Sequence, residues 1–159
     1  MRCGLVLLAS VVLSRTADAR GEDFAIELKV ATGEANQMAH ESKAAAERAK
    51  ARPQLEAKAG APLRATWQLR CSRAAEPITD VTVHFFVVRE AKVGQRALPK
   101  LDFTVAAESA LTMDFQTGDR AEGDLSFRLE QPGAYLVRLE ALDSKGEPLA
   151  FAALDVVAR

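Results

Sequence analysis

The sequence predicts an all-β fold, an antiparallel β-sandwich of about seven to nine strands, with one Ala-rich helical insertion near the N-terminus. Three observations carry that prediction. Apolar and polar residues alternate in "FAIELKV", "PLRATWQLRC" and "GAYLVRLEAL", the period-2 pattern of half-buried strands. Strand candidates recur at intervals of about 10 residues, with turn residues such as Pro77 and Asp143-Ser144-Lys145-Gly146 between them. Residues 34–52 break the pattern: they are rich in Ala, Glu, Lys and Arg, contain no β-branched residue and stop at Pro53. That composition favours a helix, or a flexible insertion where the helix does not dock.

The chain begins with "MRCGLVLLASVVLSRTADA", a basic Arg2 followed by an apolar run from Cys3 to Leu13 and the small-x-small triplet Ala17-Asp18-Ala19. This reads as a secretory signal peptide over residues 1–19, with the mature protein starting at Arg20. Its apolar run is about 11 residues, against the roughly 20 that span a bilayer, so no stable membrane span is expected. Residues 20–159 fit one sandwich domain. Losing the signal removes Arg2, Arg15 and Asp18 and moves the formal net charge from −1 to −2, which gives no reason to expect a nucleic-acid or anionic-membrane partner. Cys3 leaves as well, so Cys71 stands alone at the end of an alternating strand and reads as a small buried hydrophobe.

Taken in order, Phe24, Ile26, Leu28 and Val30 form the inward set of the first strand. Leu63, Ala65, Trp67, Leu69 and Cys71 form that of the next. A strand from about Asp80 to Arg89 follows, then shorter candidates at Leu101–Val105, Leu111–Phe115 and Asp124–Glu130. The chain closes with "GAYLVRLEAL" and "LAFAALDVV".

The segment "LEQPGAYLVRLEAL" resembles the sixth strand of an immunoglobulin-like or fibronectin type III-like domain. In such domains a tyrosine after a tight turn bonds back to the backbone, and the resemblance gives Tyr135 that part. Val137 stands where an antibody-type domain has a cysteine, and Trp67 falls near the position of its partner, so the broader Ig-like superfold is implied and a Trp67–Val137 contact replaces the disulfide. More narrowly, "VHFFVVREAKVGQRALPKLD", "ESALTMDF" and "PGAYLVRLE" resemble a family of uncharacterised bacterial secreted proteins with an Ig-like β-sandwich, over about Leu55 to Val157. The resemblance implies a periplasmic or extracellular location and no particular activity.

The stretch "VTVHFFVVRE" is apolar on both faces. With Val81, Val83, Phe85 and Val87 turned to the core, His84, Phe86 and Val88 lie on the outer side. On the neighbouring strand Leu136 and Arg138 also face outward. Two readings of this face stay open: the Ala-rich segment docks its stripe of Ala35, Met38, Ala39, Ser42, Ala45, Ala46 and Ala49 over it, the ordinary state of a monomer, or it has an external partner, in which case these five residues are the partner-binding patch. The leading expectation is a non-catalytic binding or assembly module of the cell envelope, with a protein partner and no cofactor. The alternative is a periplasmic copper-binding protein using Met38, His40 and His84, which needs the helix to dock over the strand. No nucleophile elbow, cysteine–histidine signature or phosphate-binding glycine loop is present, and catalysis is not expected. The carboxylates of "DFQTGDRAEGD" match no EF-hand spacing and read as a solvated hairpin turn.

Overall fold

The protein is described by a computed structural model covering residues 23–33, 35–40, 51–95, 101–102 and 105–159. Within these, nine strands form two stacked sheets: β1 (Phe24–Thr32), β2 (Ala35–His40), β3 (Gln54–Ala57), β4 (Pro62–Cys71), β5 (Ile78–Glu90), β6 (Val105–Phe115), β7 (Arg120–Arg128), β8 (Gly133–Leu142) and β9 (Pro148–Ala158). One sheet has the order β2-β1-β4-β7 and the other β3-β9-β8-β5-β6. All neighbours are antiparallel except β3 and β9. This is an Ig-like β-sandwich. The chain switches sheets between β2 and β3, β3 and β4, β4 and β5, β6 and β7, and β7 and β8, so that both inner faces meet across one core.

The alternation seen in the sequence sets which side chains enter the core. Phe24, Ile26, Leu28 and Val30 of β1, Leu63, Ala65 and Leu69 of β4, Val81, Val83, Phe85 and Val87 of β5, and Tyr135, Val137, Leu139 and Ala141 of β8 are all buried in one cluster. Two aromatic pairs tie the sheets together, Phe24 edge-on to Phe115 with centroids 5.3 Å apart and Phe85 tilted against Phe127 at 6.3 Å. Cys71 is buried at the same level, and burial, reinforced by Asp23 and Asp119, pushes its thiol pKa up, as expected of an inert packing residue. Trp67 lies across Gly123, its partner on β7. A Cβ on Gly123 would sit 2.7 Å from the indole, so this strand position accepts only glycine while the ring stays there.

The Ig-type corner is formed: Tyr135 donates its hydroxyl to the carbonyl of Gln131 at 2.9 Å. The turn between β8 and β9 is held by Asp143, whose Oδ1 accepts from the amides of Lys145 and Glu147. The acidic stretch after β6 is a tight turn, closed by the Gln116 amide donating to Asp119 Oδ2 at 2.7 Å; it carries the chain from one sheet to the other and is not the hairpin expected, because β6 and β7 do not pair.

Three expectations need correction. Residues Ala35–His40, placed at the head of a helix, are strand β2. Thr32 pairs with Ala35, and Gly33 between them sits at φ 54, the left-handed conformation that a tight hairpin needs. Pairing with the open edge of β1 outweighs a propensity difference worth only a few tenths of a kcal/mol per residue. Of the rest of that expected insertion, residues 51 and 52 are in neither helix nor strand, and residues 34 and 41–50 lie outside the described residues, as does the signal segment. Leu101 and Asp102 are not in a strand; β6 begins at Val105 and absorbs the separate candidate at Leu111–Phe115. Finally, β3 was not foreseen. It has four residues and is fixed by parallel pairing with β9, a partner about a hundred positions away.

Candidate functional site on the outer face of the five-stranded sheet

The two outer faces of the sandwich differ in kind. On the four-stranded sheet the outward residues include Arg64, Thr66, Arg70, Arg120, Glu122 and Asp124, all exposed, with surface ion pairs Arg64–Asp124 at 3.1 Å and Arg120–Glu122 at 2.9 Å. That is an ordinary solvated face. On the five-stranded sheet, strand register places outward residues in rows. Ala110, His84, Glu140 and Phe151 form one row, Glu108, Phe86, Arg138 and Ala153 the next, and Val105, Val88, Leu136 and Asp155 a third.

The centre of this face is a second, smaller core. Phe86 is 2% exposed and Val88 and Leu136 are fully buried, packed with the partly buried Val105 and Ala153. The structure thus places all five residues of the expected patch on one face; Arg138 is buried there and so, against the expectation of an exposed patch, are its apolar members. They pack against one another and against flanking residues, so they form a floor and not a free surface. Alternation in a sequence assigns a side chain to a face; it does not say what covers that face.

Around this floor the polar side chains are tightly paired. His84 Nε2 lies 2.8 Å from Glu108 Oε1, and Nδ1 lies 3.3 Å from Glu140 Oε1. Both carboxylates accept, so both contacts are hydrogen bonds only when each ring nitrogen carries a proton. Arg138 donates through Nε to the other Glu140 oxygen at 2.7 Å, and its guanidinium lies 4.2 Å from the Phe151 ring centroid. The His84 ring is 5.0 Å from Phe86. Four strands, β6, β5, β8 and β9, are therefore linked across their outer side by one polar chain in which Glu140 bridges His84 and Arg138. Beyond His84 the face opens into a hollow lined by Asp80, Thr82, Thr112, Leu142, Asp143 and Ser144.

At the opposite end lies a buried ionic cluster that the sequence reading missed. Arg52, immediately before Pro53, donates through one terminal nitrogen to both oxygens of Glu90 at 2.8 Å. Its Nε lies 2.7 Å from Asp155 Oδ1, a close ion pair in which the N–H is not aimed at the oxygen, so attraction there is between charges and not along a directed bond. The Glu90 and Asp155 side chains are almost completely buried. Burial raises both carboxyl pKa values above the ordinary range, and for each Arg52 opposes that shift. Two carboxylates thus share one guanidinium, with further support from the backbone at Gln95 and Gly94. The available signal was Asp155 itself, an acidic residue inside "AALDVVA", where a buried strand demands a partner.

The alternative copper set is not assembled. Met38 is on β2 and exposed on the outer side of the four-stranded sheet, whereas His84 is on the outer side of the five-stranded one. Stacked sheets lie about 10 Å apart, with the whole core between these positions. The backbone of His40 ends β2, and its side chain is outside the described set. Among the described residues no group of three or more His, Cys, Asp or Glu converges as metal ligands, and no helix is long and apolar enough to cross a membrane.

No family model and no curated protein matches this chain. Among solved structures it is similar to the PmoD soluble domain from Methylocystis sp. ATCC 49242 (Rockwell), at 11% identity over 82% of this chain and 90% of that one, with a TM-score of 0.44. It is also similar to a Niemann-Pick type C2 protein from Japanese carpenter ant, at 10% identity over 69% of this chain and 82% of that one, with a TM-score of 0.36.

Proposed function

We propose that this protein is a secreted, non-catalytic binding or assembly module of the cell envelope, of the bacterial secreted Ig-like kind that its strand motifs resemble. Its protein partner contacts the outer face of the five-stranded sheet. The observation that carries this reading is the asymmetry of the two faces: one is solvated, while the other holds the apolar floor of Phe86, Val88 and Leu136 between two polar clusters. A sandwich needs only one core, so the extra organisation on this face favours a role beyond stability. The partner reaches Glu108 and the edge of the His84 ring at the rim of the floor, while the buried Arg138 and the apolar trio keep those side chains in place. Phe86 on this account is a supporting residue, and Phe86→Arg acts on folding before it acts on binding.

The test uses a photo-crosslinking amino acid at Glu108, whose side chain is half exposed, and at Thr66 on the opposite sheet as a control. A discrete adduct with an envelope protein at Glu108 and none at Thr66 supports the proposal. Identical adducts at both positions, or none at either, contradict it. Export is checked separately by the mass of the secreted protein, which should begin at Arg20.

A further inference from the structure

The free edges of the two sheets are protected unequally. β3 has four residues, β2 has six, and β7 carries Arg120, Glu122, Asp124 and Arg128 along nine. Short length and dense charge are the usual devices that keep an edge from pairing with another chain. β6 has neither. It runs for eleven residues with no proline, lysine or arginine, and its only charges are Glu108 and Asp114. Among the described residues no strand pairs with its outer edge.

The strand is also complementary to itself. Register shifts in the β5–β6 pairing fall outside the stretch from Ala107 to Met113, and that regular stretch is centred on Ala110. If a second copy pairs antiparallel about a two-fold axis at Ala110, Ser109 faces the other copy's Leu111 and Ala107 faces its Met113. Small residues then meet large ones on the inner side, where Leu111 is 39% exposed. Glu108 falls opposite Thr112 and Asp114 opposite Ala106, so no like charges meet. The same-patch geometry is that of an isologous dimer.

We propose that β6 is a dimerisation edge, at which two copies of this chain join their five-stranded sheets into one continuous ten-stranded sheet centred on Ala110. The pairing adds strands in the plane of the sheet, so the outer faces of both copies stay open on the same side.

The register gives a sharp test. At the two-fold, the two Ala110 Cα atoms lie about 4.5–5.5 Å apart, within disulfide range. The two Thr112 residues are separated by about 13 Å along the strands. Ala110→Cys should form an interchain disulfide in a glutathione redox buffer, and Thr112→Cys should not. Both variants are checked for a native circular dichroism spectrum. Sedimentation equilibrium of the unmodified mature protein should show a monomer–dimer equilibrium that Leu111→Lys removes, since a lysine at an edge opposes pairing. A single monomeric mass up to about 200 µM, a concentration well above the micromolar range of weak specific complexes, overturns the proposal. Equal crosslinking of the two cysteine variants also overturns it, as does a dimer that survives Leu111→Lys and crosslinks instead through Gln37→Cys on β2.

Discussion

Truncating Phe86 tests whether the outer face of the five-stranded sheet is a packed second core. The side chain is 2% exposed and lies among Val88 and Leu136, which are fully buried. Phe86→Ala removes most of a ring that buries roughly 150–200 Å², worth about 4–5 kcal/mol as an upper bound at about 25 cal/mol per Å². The small cluster leaves part of that space able to relax, so the expected loss is about 3 kcal/mol, the low end for buried aromatic truncations. In urea, with a slope of about 2 kcal/mol per M for a domain of this size, the unfolding midpoint should fall by about 1.5 M. Thr66→Ala on the solvated face should change stability by no more than about 0.5 kcal/mol. If Phe86→Ala costs less than about 1 kcal/mol, the outer trio is not a core and the asymmetry between the faces is only apparent.

Further tests follow from individual contacts. Tyr135→Phe removes the hydroxyl that bonds to Gln131 and should cost about 1 kcal/mol by denaturant unfolding; an unchanged midpoint would show that the corner bond contributes nothing net. Gly123→Ala forces a methyl to 2.7 Å from the Trp67 ring and should destabilise by about 1–3 kcal/mol with a shifted tryptophan emission. Arg52→Met leaves Glu90 and Asp155 buried together without their cation and should cost about 3–5 kcal/mol at neutral pH. The same pair has a pH signature. Burial raises both carboxyl pKa values, so the folded state binds protons more readily than the unfolded one. Their contribution to stability therefore increases as pH falls from neutral through the raised folded values, down to the ordinary carboxyl range. It is lost as pH rises through the folded values. In the Glu90→Gln/Asp155→Asn variant that component should vanish from a plot of unfolding free energy against pH. An unchanged plot would show that the two groups titrate alike in both states.

Much of the architecture was legible because strand alternation is a local signal. The inward sets of β1, β4, β5 and β8 follow directly from period-2 patterning, and Tyr135 is recognisable by its place after the Gln131-Pro132-Gly133 turn. What was not legible depends on distant partners. "ANQMAH" has no strand-favouring composition, and only the edge of β1 across a left-handed Gly33 makes it a strand. The Arg52, Glu90 and Asp155 cluster joins the segment before β3 to β5 and β9, parts far apart in sequence and each unremarkable alone. The five patch residues were correctly assigned to one face, yet the burial of Phe86, Val88 and Leu136 depends on packing that alternation does not encode.

On the proposed function the outer face of the five-stranded sheet is the working surface. Its most direct test is the labelling of Glu108→Cys and Thr66→Cys by a membrane-impermeant maleimide, compared between purified protein and cells that produce it. Glu108 lies on β6, so both cysteines are placed in the Leu111→Lys background, where edge pairing is removed and does not mask the result. With a partner on this face, Glu108→Cys is shielded in cells relative to the purified protein while Thr66→Cys reacts equally in both. Equal labelling of the two cysteines in cells and in isolation would contradict it.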